Sequence, residues 1–455
     1  MKFEQQEFLD ELVSKVRHGR MTRRTFMERA VALGIGSSAA LTLLEACGSS
    51  ANAGQSTPLT YWNLFGGGDG VRMIQMQNDF SKQYPDVDLQ AVTLAWGNPY
   101  YTKLAMAGAG GRPPDVAISH MTRMPTYAAQ GLLEPFDLNE LASVGITEDK
   151  FLPLIWQRAH YNGQLYAVPL DTHPFVMYYN TEIAKNAGLL DSHGNLKTIK
   201  GTSGLVGALQ QVRQAAGPGS YGVAFEIEGV TAWRLFYTLY SQMGGQILSP
   251  DGKELVMDDG MAEEVLGFMT QLTTSKLAAQ NIDYASSVAL FGSGKAGFFW
   301  EGEWEVTTFQ TQKTPFNMLP FPLVYNQYFT QADCHTFVLP HQSAADPTRR
   351  AAALKFISFL LQDSYTWAQG GHIPAYLPVT ESSAYKNLKP QSNYASVAPY
   401  TVLDPLAWFS GSGSELENQA YAAFSSALNG QITPAQGVSQ FRAAVEKLLA
   451  VKLPF

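Results

Sequence analysis

The chain has 455 residues, too many for one compact hydrophobic core, so two lobes are expected. Hydrophobic residues make up 45% and charged residues 15%, an ordinary globular balance. The net charge is −8 with no run of Lys or Arg, which argues against a nucleic-acid partner, because phosphate neutralisation needs clustered cations.

The first 57 residues read as export signal and linker. Thr22-Arg23-Arg24-Thr25-Phe26-Met27-Glu28 resembles a twin-arginine export motif. The stretch Ala30 to Leu44 is moderately apolar, holds Gly34, Gly36, Ser37 and Ser38, and is too short to span a bilayer stably. It ends in Leu44-Glu45-Ala46-Cys47, which looks like a lipobox. Residues 1–46 are therefore expected to be a signal peptide, Cys47 a lipidated residue, and 47–57 a polar linker. That places the chain on the outer face of the cytoplasmic membrane. The first 57 residues hold 7 Lys or Arg against 6 Asp or Glu, so the remainder carries −9. Such a surface opposes adsorption on anionic lipid, and a diacylated Cys47 would supply the anchor. Cys334 is the one other cysteine, which excludes an internal disulfide and a multi-Cys metal site in the mature chain.

Leu59 to Phe65 reads as a buried strand and Gly66 to Gly70 as a flexible turn. Met73, Met76, Phe80 and Tyr84 recur at helical spacing until Pro85-Asp86 stops the helix. Val87, Leu89 and Ala91 alternate as in a half-exposed strand. Pro99 to Ala109 is expected to be helical, and Pro114 to Ile118 the next strand. This β-α-β-α-β order implies an α/β fold with a parallel sheet, which binds ligands beyond the C-terminal strand ends. Further helical stripes are Met261, Val265, Leu266, Met269 and Leu272; Leu354, Phe356, Ile357 and Leu360; and Phe441, Val445 and Leu449.

The order of these landmarks resembles the family of extracellular solute-binding proteins that serve ABC-type sugar importers, the group that includes maltose-binding protein. The residues that carry the resemblance span nearly the whole chain after the linker. They include Tyr127-Ala128-Ala129-Gln130-Gly131-Leu132-Leu133, Asn162-Gly163-Gln164-Leu165-Tyr166-Ala167-Val168-Pro169 and Tyr178-Tyr179-Asn180. Later come Lys295-Ala296-Gly297-Phe298-Phe299, Gly302-Glu303-Trp304 and Gly370-Gly371-His372-Ile373-Pro374-Ala375. One departure is Ile199-Lys200-Gly201-Thr202-Ser203, where many members start a helix with Asn-Pro-x-Thr-Trp; Ser203 is a candidate cap in its place. The resemblance implies a periplasmic-binding-protein-like fold of type II: two α/β lobes, a hinge and a central ligand cleft. Residues 58–171 and 333–373 would form one lobe, and 174–332 and 376–455 the other. Crossovers would lie near Pro169–Pro174, Asp333–Leu339 and Ile373–Leu377.

A sugar presents apolar C–H faces and a hydroxyl rim, so its site needs flat rings and hydrogen-bonding side chains. By resemblance, Trp304 is the principal stacking candidate and His173 stands where the first crossover of relatives contributes a carboxylate to the ligand. Asp171 alternates with His173, so the two point the same way along an extended strand. His120 and Arg123 follow the Pro114–Ile118 strand where relatives bind hydroxyls. Trp62, Trp96 and Trp233 are taken as further ligand candidates, with core burial as the alternative, and Trp408 as another, in the late loop Asp404 to Phe409 that the resemblance implies closes the site. Trp156 and Trp367 read as core. Glu301, Glu303 and Glu305 would share a face if extended, and Glu301 is taken as the candidate. His335 reads as a buried, satisfied histidine on the second crossover. No residue is assigned to a metal, no cofactor is expected, and no catalytic motif of the nucleophile-elbow or H-E-x-x-H type is present. The expected function is a monomeric, lipid-anchored binder of a carbohydrate that delivers it to an ABC permease. A polyamine, metal or phosphorylated-solute binder of the same fold, and a secreted glycoside-processing enzyme, are the alternatives.

Overall fold

A computed structural model describes residues 56–451. The expected export motif, its apolar stretch and Cys47 lie outside them. Among the described residues no helix is long and apolar enough to cross a membrane.

The strands, in chain order, are β1 (Thr57–Asn63), β2 (Val87–Thr93), β3 (Val116–His120), β4 (Leu133–Glu134), β5 (His160–Tyr161), β6 (Gln164–Leu165), β7 (Val168–Pro169) and β8 (Asp171–Asn180). They continue with β9 (Tyr221–Ala224), β10 (Ala296–Gly302), β11 (Phe316–Pro320), β12 (Thr330–Asp333), β13 (His335–Pro340), β14 (Ile373–Pro374) and β15 (Thr401–Val402). Two sheets take up all but the β5–β6 pair. One runs β2-β1-β3-β13-β4 with β7 on β13; the other runs β15-β12-β8-β10-β9 with β11 and β14 on β8.

In the first sheet β1 pairs in parallel with β2 and β3, as the β-α-β-α-β reading requires. Parallel neighbours need a crossover helix, and the helices Gly67–Gln83 and Asn98–Ala109 supply it. Met73, Met76 and Phe80 are buried at their 3–4 spacing in a core with Leu59, Tyr61, Phe356 and Leu360. Each such side chain contributes roughly 1.5–3 kcal/mol relative to exposure. A separate core in the second lobe packs Val265, Leu266, Met269 and Leu272 with Val223, Phe424, Phe441 and Val445. A third, smaller cluster packs Val176, Tyr178, Phe299 and Phe309 on the other face of β8, so the chain has more than one core, as its length implied.

The glycine run expected as a turn is instead the first turn of the helix, which begins at Gly67. Its glycines serve close approach: a Cβ on Gly68 would sit 2.9 Å from Thr307 Cβ, on the other lobe, and one on Gly70 the same distance from the Phe65 carbonyl oxygen. Ser203 caps nothing, because the helix Gly201–Ala216 starts two residues earlier with no side-chain cap. Tyr178 and Tyr179 face opposite sides of β8, one packing with Phe299 and Phe309 and the other in the second lobe's main core.

The chain passes between the sheets three times: from β7 to β8, from β12 to β13, and from the helix Ser364–Ala368 into β14. Strand β8 pairs with both β12 and β14, through His173 opposite Asp333 and Thr172 opposite Ile373. The three crossovers therefore lie side by side.

Candidate ligand-binding cleft

A cavity of about 490 Å³ opens beyond the C-terminal ends of β1 and β3, directly over the crossovers. Phe65, Asp69, Trp96, His120 and His335 line it from the first lobe, and Glu226, Arg234, Tyr284, Trp304 and Glu305 from the second, with His173 from the crossover. Its size falls within the roughly 300–1,000 Å³ typical of small-molecule sites.

The floor is built on one carboxylate. Asp171 begins β8 and is fully buried. It accepts hydrogen bonds from His173 Nδ1 at 3.0 Å, His335 Nδ1 at 2.7 Å, the His335 backbone N–H at 2.8 Å and Trp367 Nε1 at 2.7 Å. His120 Nδ1 lies 2.5 Å from the Tyr101 hydroxyl. With each Nδ1 so engaged, Nε2 is the free nitrogen of all three rings, and all three line the cavity. Their centroids are 4.2 Å (His173–His335), 4.9 Å (His120–His335) and 5.5 Å (His120–His173) apart. Burial, reinforced by the neighbouring imidazoles, pushes His173 down to about 3 and His120 well below its usual value. Both are neutral hydrogen-bonding groups at neutral pH. Burial alone would raise the Asp171 carboxyl, but His335, His372 and its hydrogen bonds outweigh that and hold it well below the usual range.

The opposite wall is set by Trp304. Its Nε1 donates to the Tyr284 hydroxyl at 2.7 Å, and that hydroxyl donates to Glu305. The Arg234 guanidinium lies 4.9 Å from the indole centroid and pairs with Glu301 at 3.0 Å. Gly302 makes the pose possible, since a Cβ there would fall 1.8 Å from an atom of the indole ring. Glu301 is pushed up to about 7 by burial, against the pull of Arg234. Aromatic surfaces, neutral imidazoles, a guanidinium and carboxylates thus face one enclosed space. Such a lining can cover a ring face and hydrogen-bond a hydroxyl rim.

Of the residues expected in the cleft, Trp96, His120, His173 and Trp304 line it. Asp171 and Glu301 stand behind the lining, orienting His173 with His335 and holding Arg234. Four others are elsewhere. Trp62 sits under Lys103 Nζ at 5.4 Å and lines a separate open depression with Pro99 and Met106, because its face of β1 turns away from the cleft. Arg123 lies over the Tyr101 ring at 4.6 Å and is absent from the lining. Trp233 is fully buried on the helix Thr231–Gln242, with Nε1 donating to Asp404 at 3.1 Å. Trp408 packs on the second lobe's core.

The three glutamates do not share a face. The chain turns after Gly302 into the short helix Glu303–Glu305, sending Glu301 to Arg234, Glu303 toward His372 and Glu305 to Tyr284. His335 has its expected partner yet also lines the cavity, and Trp367, though buried, stacks on His372 at 4.3 Å. Sequence reasoning missed Phe65, Asp69, Glu226, Arg234, Tyr284 and Glu305. Phe65 carried a signal at the end of the first strand-like run, and Glu305 in its alternation with Glu301 and Glu303. Asp171, His173, His335 and His372 also have metal-ligand spacing, although no metal ligand was expected.

The lobes touch across the cleft. A Cβ on Gly413 would meet Gly97 Cα at 2.8 Å, one on Gly411 would meet Thr122 Oγ1 at 2.5 Å, and the Ser412 N–H donates to Thr122 Oγ1 at 3.3 Å. Two α/β lobes, three adjacent crossovers and a polar-aromatic cavity between them define a two-lobed hinge protein that encloses a ligand. The chain belongs to the bacterial extracellular solute-binding protein family, whose model matches residues 67–367. That family is one of solute-binding proteins, not of enzymes.

The chain is 25% identical over 386 residues to a maltooligosaccharide ABC transporter solute-binding lipoprotein of Streptococcus pneumoniae, covering 79% of this chain and 82% of that protein. It is 27% identical over 243 residues to an arabinooligosaccharide-binding protein of Bacillus subtilis, an alignment that spans 52% of each. In fold it is similar to maltose-bound T. maritima MalE3, with a TM-score of 0.74 at 18% identity, over 86% of this chain and all of that one. An ABC substrate-binding protein of Listeria monocytogenes in complex with cycloalternan gives 0.73 at 21% identity, over 87% of this chain and 100% of that one.

Proposed function

We propose that this chain captures an oligosaccharide between its lobes, unaltered, and delivers it to the permease of an ABC importer. Residues 58–171 with 333–373 act as one lobe, and 174–332 with 376–455 as the other. The chain works as a monomer held at the outer face of the cytoplasmic membrane by lipidated Cys47, after export through the arginine pair at Arg23-Arg24. The observation that carries the reading is the cavity lining: Phe65, Trp96, Tyr284 and Trp304 beside the imidazoles of His120, His173 and His335. The charged groups there are largely committed to protein partners, Arg234 to Glu301, Asp69 to His372 and Glu305 to Tyr284, which suits a neutral polyol more than a polyamine or a phosphorylated solute. The named ligands of the Streptococcus and Bacillus relatives point the same way. Closure on ligand requires that the ligand prefer the closed state, and lobe contacts such as Gly68 with Thr307 are those a closed form makes.

A thermal-shift screen tests this. The mature chain is heated with maltooligosaccharides, arabinooligosaccharides, monosaccharides, spermidine and sugar phosphates. A saccharide at a hundredfold over its Kd is expected to add about 2.7 kcal/mol of stability. A shift with spermidine or a sugar phosphate, and none with any neutral saccharide, would overturn the assignment.

A further inference from the structure

Asp171, His173, His335 and His372 each offer one ligand atom, and those atoms all lie within 4.8 Å of one another. All four side chains are buried. They come from three different crossovers: Asp171 and His173 from β8, His335 from the start of β13, and His372 from the residue before β14. We infer that they bind one divalent transition-metal ion of the zinc class, which ties the three crossovers together beneath the cleft.

The donor set comes first. Three imidazoles and one carboxylate suit zinc, copper or nickel, whereas magnesium and calcium call for an oxygen cage. Spacing is the second ground. His335 Nδ1 and His372 Nδ1 are 2.7 and 3.4 Å from Asp171 Oδ2, and His173 Nδ1 is 3.0 Å from Oδ1. A tetrahedral ion about 2.0–2.1 Å from each ligand holds ligand atoms roughly 3.3 Å apart; the nitrogen-to-carboxylate distances already match this, and the widest pair, within 4.8 Å, must draw in to admit it. Third, the buried His372 Nδ1 faces Asp171 Oδ2 at 3.4 Å and Glu303 Oε1 at 2.9 Å in ion-pair range, without a well-directed hydrogen bond to either. Buried polar groups are nearly always partnered. A nitrogen and a carboxylate left side by side in this way are what a cation seated on them would satisfy.

The surroundings match a ligated ion as well. Metal-bound imidazoles hold their other nitrogen on a carboxylate, and His372 Nε2 lies 2.9 Å from Asp69 Oδ1. Trp367 fixes both partners, donating to Asp171 at 2.7 Å and stacking on His372 at 5°. Asp69, Asp171 and Glu303 place three carboxyl groups around His372. With Nδ1 on the ion, His173 and His335 would present Nε2–H donors to the cleft.

The test needs no saccharide, so it stands apart from the reading of the cleft. The full chain is stripped with chelator and titrated with zinc chloride by calorimetry, with magnesium and calcium chloride as controls. Cobalt chloride is added separately to read the visible absorption of a tetrahedral cobalt ion. One zinc per chain, a rise in Tm that magnesium and calcium do not give, and a tetrahedral cobalt spectrum are expected. His173→Gln and His372→Gln should each weaken zinc binding at least about tenfold. Circular dichroism and melting of the metal-free variants establish that they fold; if one does not, the other carries the comparison, with Asp171→Asn as a third. Zinc binding that is unchanged in the folded variants, or a wild-type chain that neither binds zinc nor gains Tm with it, would overturn the site.

Discussion

Gly302→Ala isolates the pose of Trp304 from the stability of the fold. Gly302 has φ −68° and ψ 167°, a conformation open to any residue, so the backbone itself does not require glycine. Space does: the new methyl would lie 1.8, 2.0 and 2.4 Å from three atoms of the Trp304 six-membered ring, and the indole must move. Moving it breaks the 2.7 Å bond to Tyr284 and the 4.9 Å contact with Arg234. A neutral hydrogen bond is worth about 0.5–1.5 kcal/mol and a partly desolvated cation–π contact about 0.5–2 kcal/mol. Those losses weaken the fold; the ligand in turn loses the indole face, which should cost about 1–3 kcal/mol of affinity, roughly 5- to 150-fold. The Gly→Ala exchange restrains the unfolded chain by about 0.4–1 kcal/mol, so part of any loss of stability is offset. Calorimetric titration with the saccharide selected by thermal shift, on Gly302→Ala, Trp304→Ala and the double variant, reads the effect. Because the glycine acts only through the indole, the double variant should bind like Trp304→Ala alone. Additive losses, or wild-type affinity in Gly302→Ala, would refute the reasoning.

Trp62→Ala should leave saccharide affinity within about twofold, since Trp62 lies under Lys103 away from the cleft; a tenfold loss by the same titration would place it in the site. Arg234→Ala strands the buried Glu301 and should destabilise the fold by about 3–5 kcal/mol in denaturant melts, with Glu301→Gln in the same chain recovering much of the loss. No recovery would mean that Arg234 stabilises through packing alone. Burial, reinforced by Asp404, pushes Glu417 up to about 8, so the folded state holds a proton there that the unfolded state has lost. Stability from that group is complete below the ordinary carboxylate value and disappears as pH rises through about 8. His120 and His173, pulled down, act in the opposite sense only below their ordinary value of 6.5. Between about pH 6.5 and 8 the wild type should therefore lose up to about 1.4 kcal/mol per pH unit for each raised group. Glu417→Gln keeps an oxygen to accept from the Gly413 N–H, at 2.7 Å in the wild type, and should flatten the dependence of Tm on pH; an unchanged slope would contradict this.

The parts of the fold that were legible in the sequence are those with local periodicity. Met73, Met76 and Phe80 announced their helix, and Val265 to Leu272 theirs, because burial of one face leaves a 3.6-residue trace. The start of the first helix was not legible, since Gly67, Gly68 and Gly70 signal a turn locally, while the crowding comes from Thr307 of the other lobe at Gly68 and from the Phe65 carbonyl at Gly70. In the site, His173 and Asp171 were paired correctly because alternation on a strand is local. Arg234 was missed because its partner Glu301 is 67 positions away and neither helix nor strand period links them. Trp62 and Trp233 show the converse: residue type suggested stacking, but the face of β1 and the fully buried helix Thr231–Gln242 send both rings away from the cleft. Joining His372 to Asp171 required the third crossover to lie against the first, which is a property of the whole fold.

The central claim is that two lobes enclose a carbohydrate and release it unchanged. Small-angle scattering of the mature chain, with and without the selected saccharide, followed by mass spectrometry of the released ligand, tests it most directly. A more compact particle with ligand and a recovered saccharide of unaltered mass are expected. A saccharide returned as fragments, or no neutral saccharide that compacts the chain, would contradict the account.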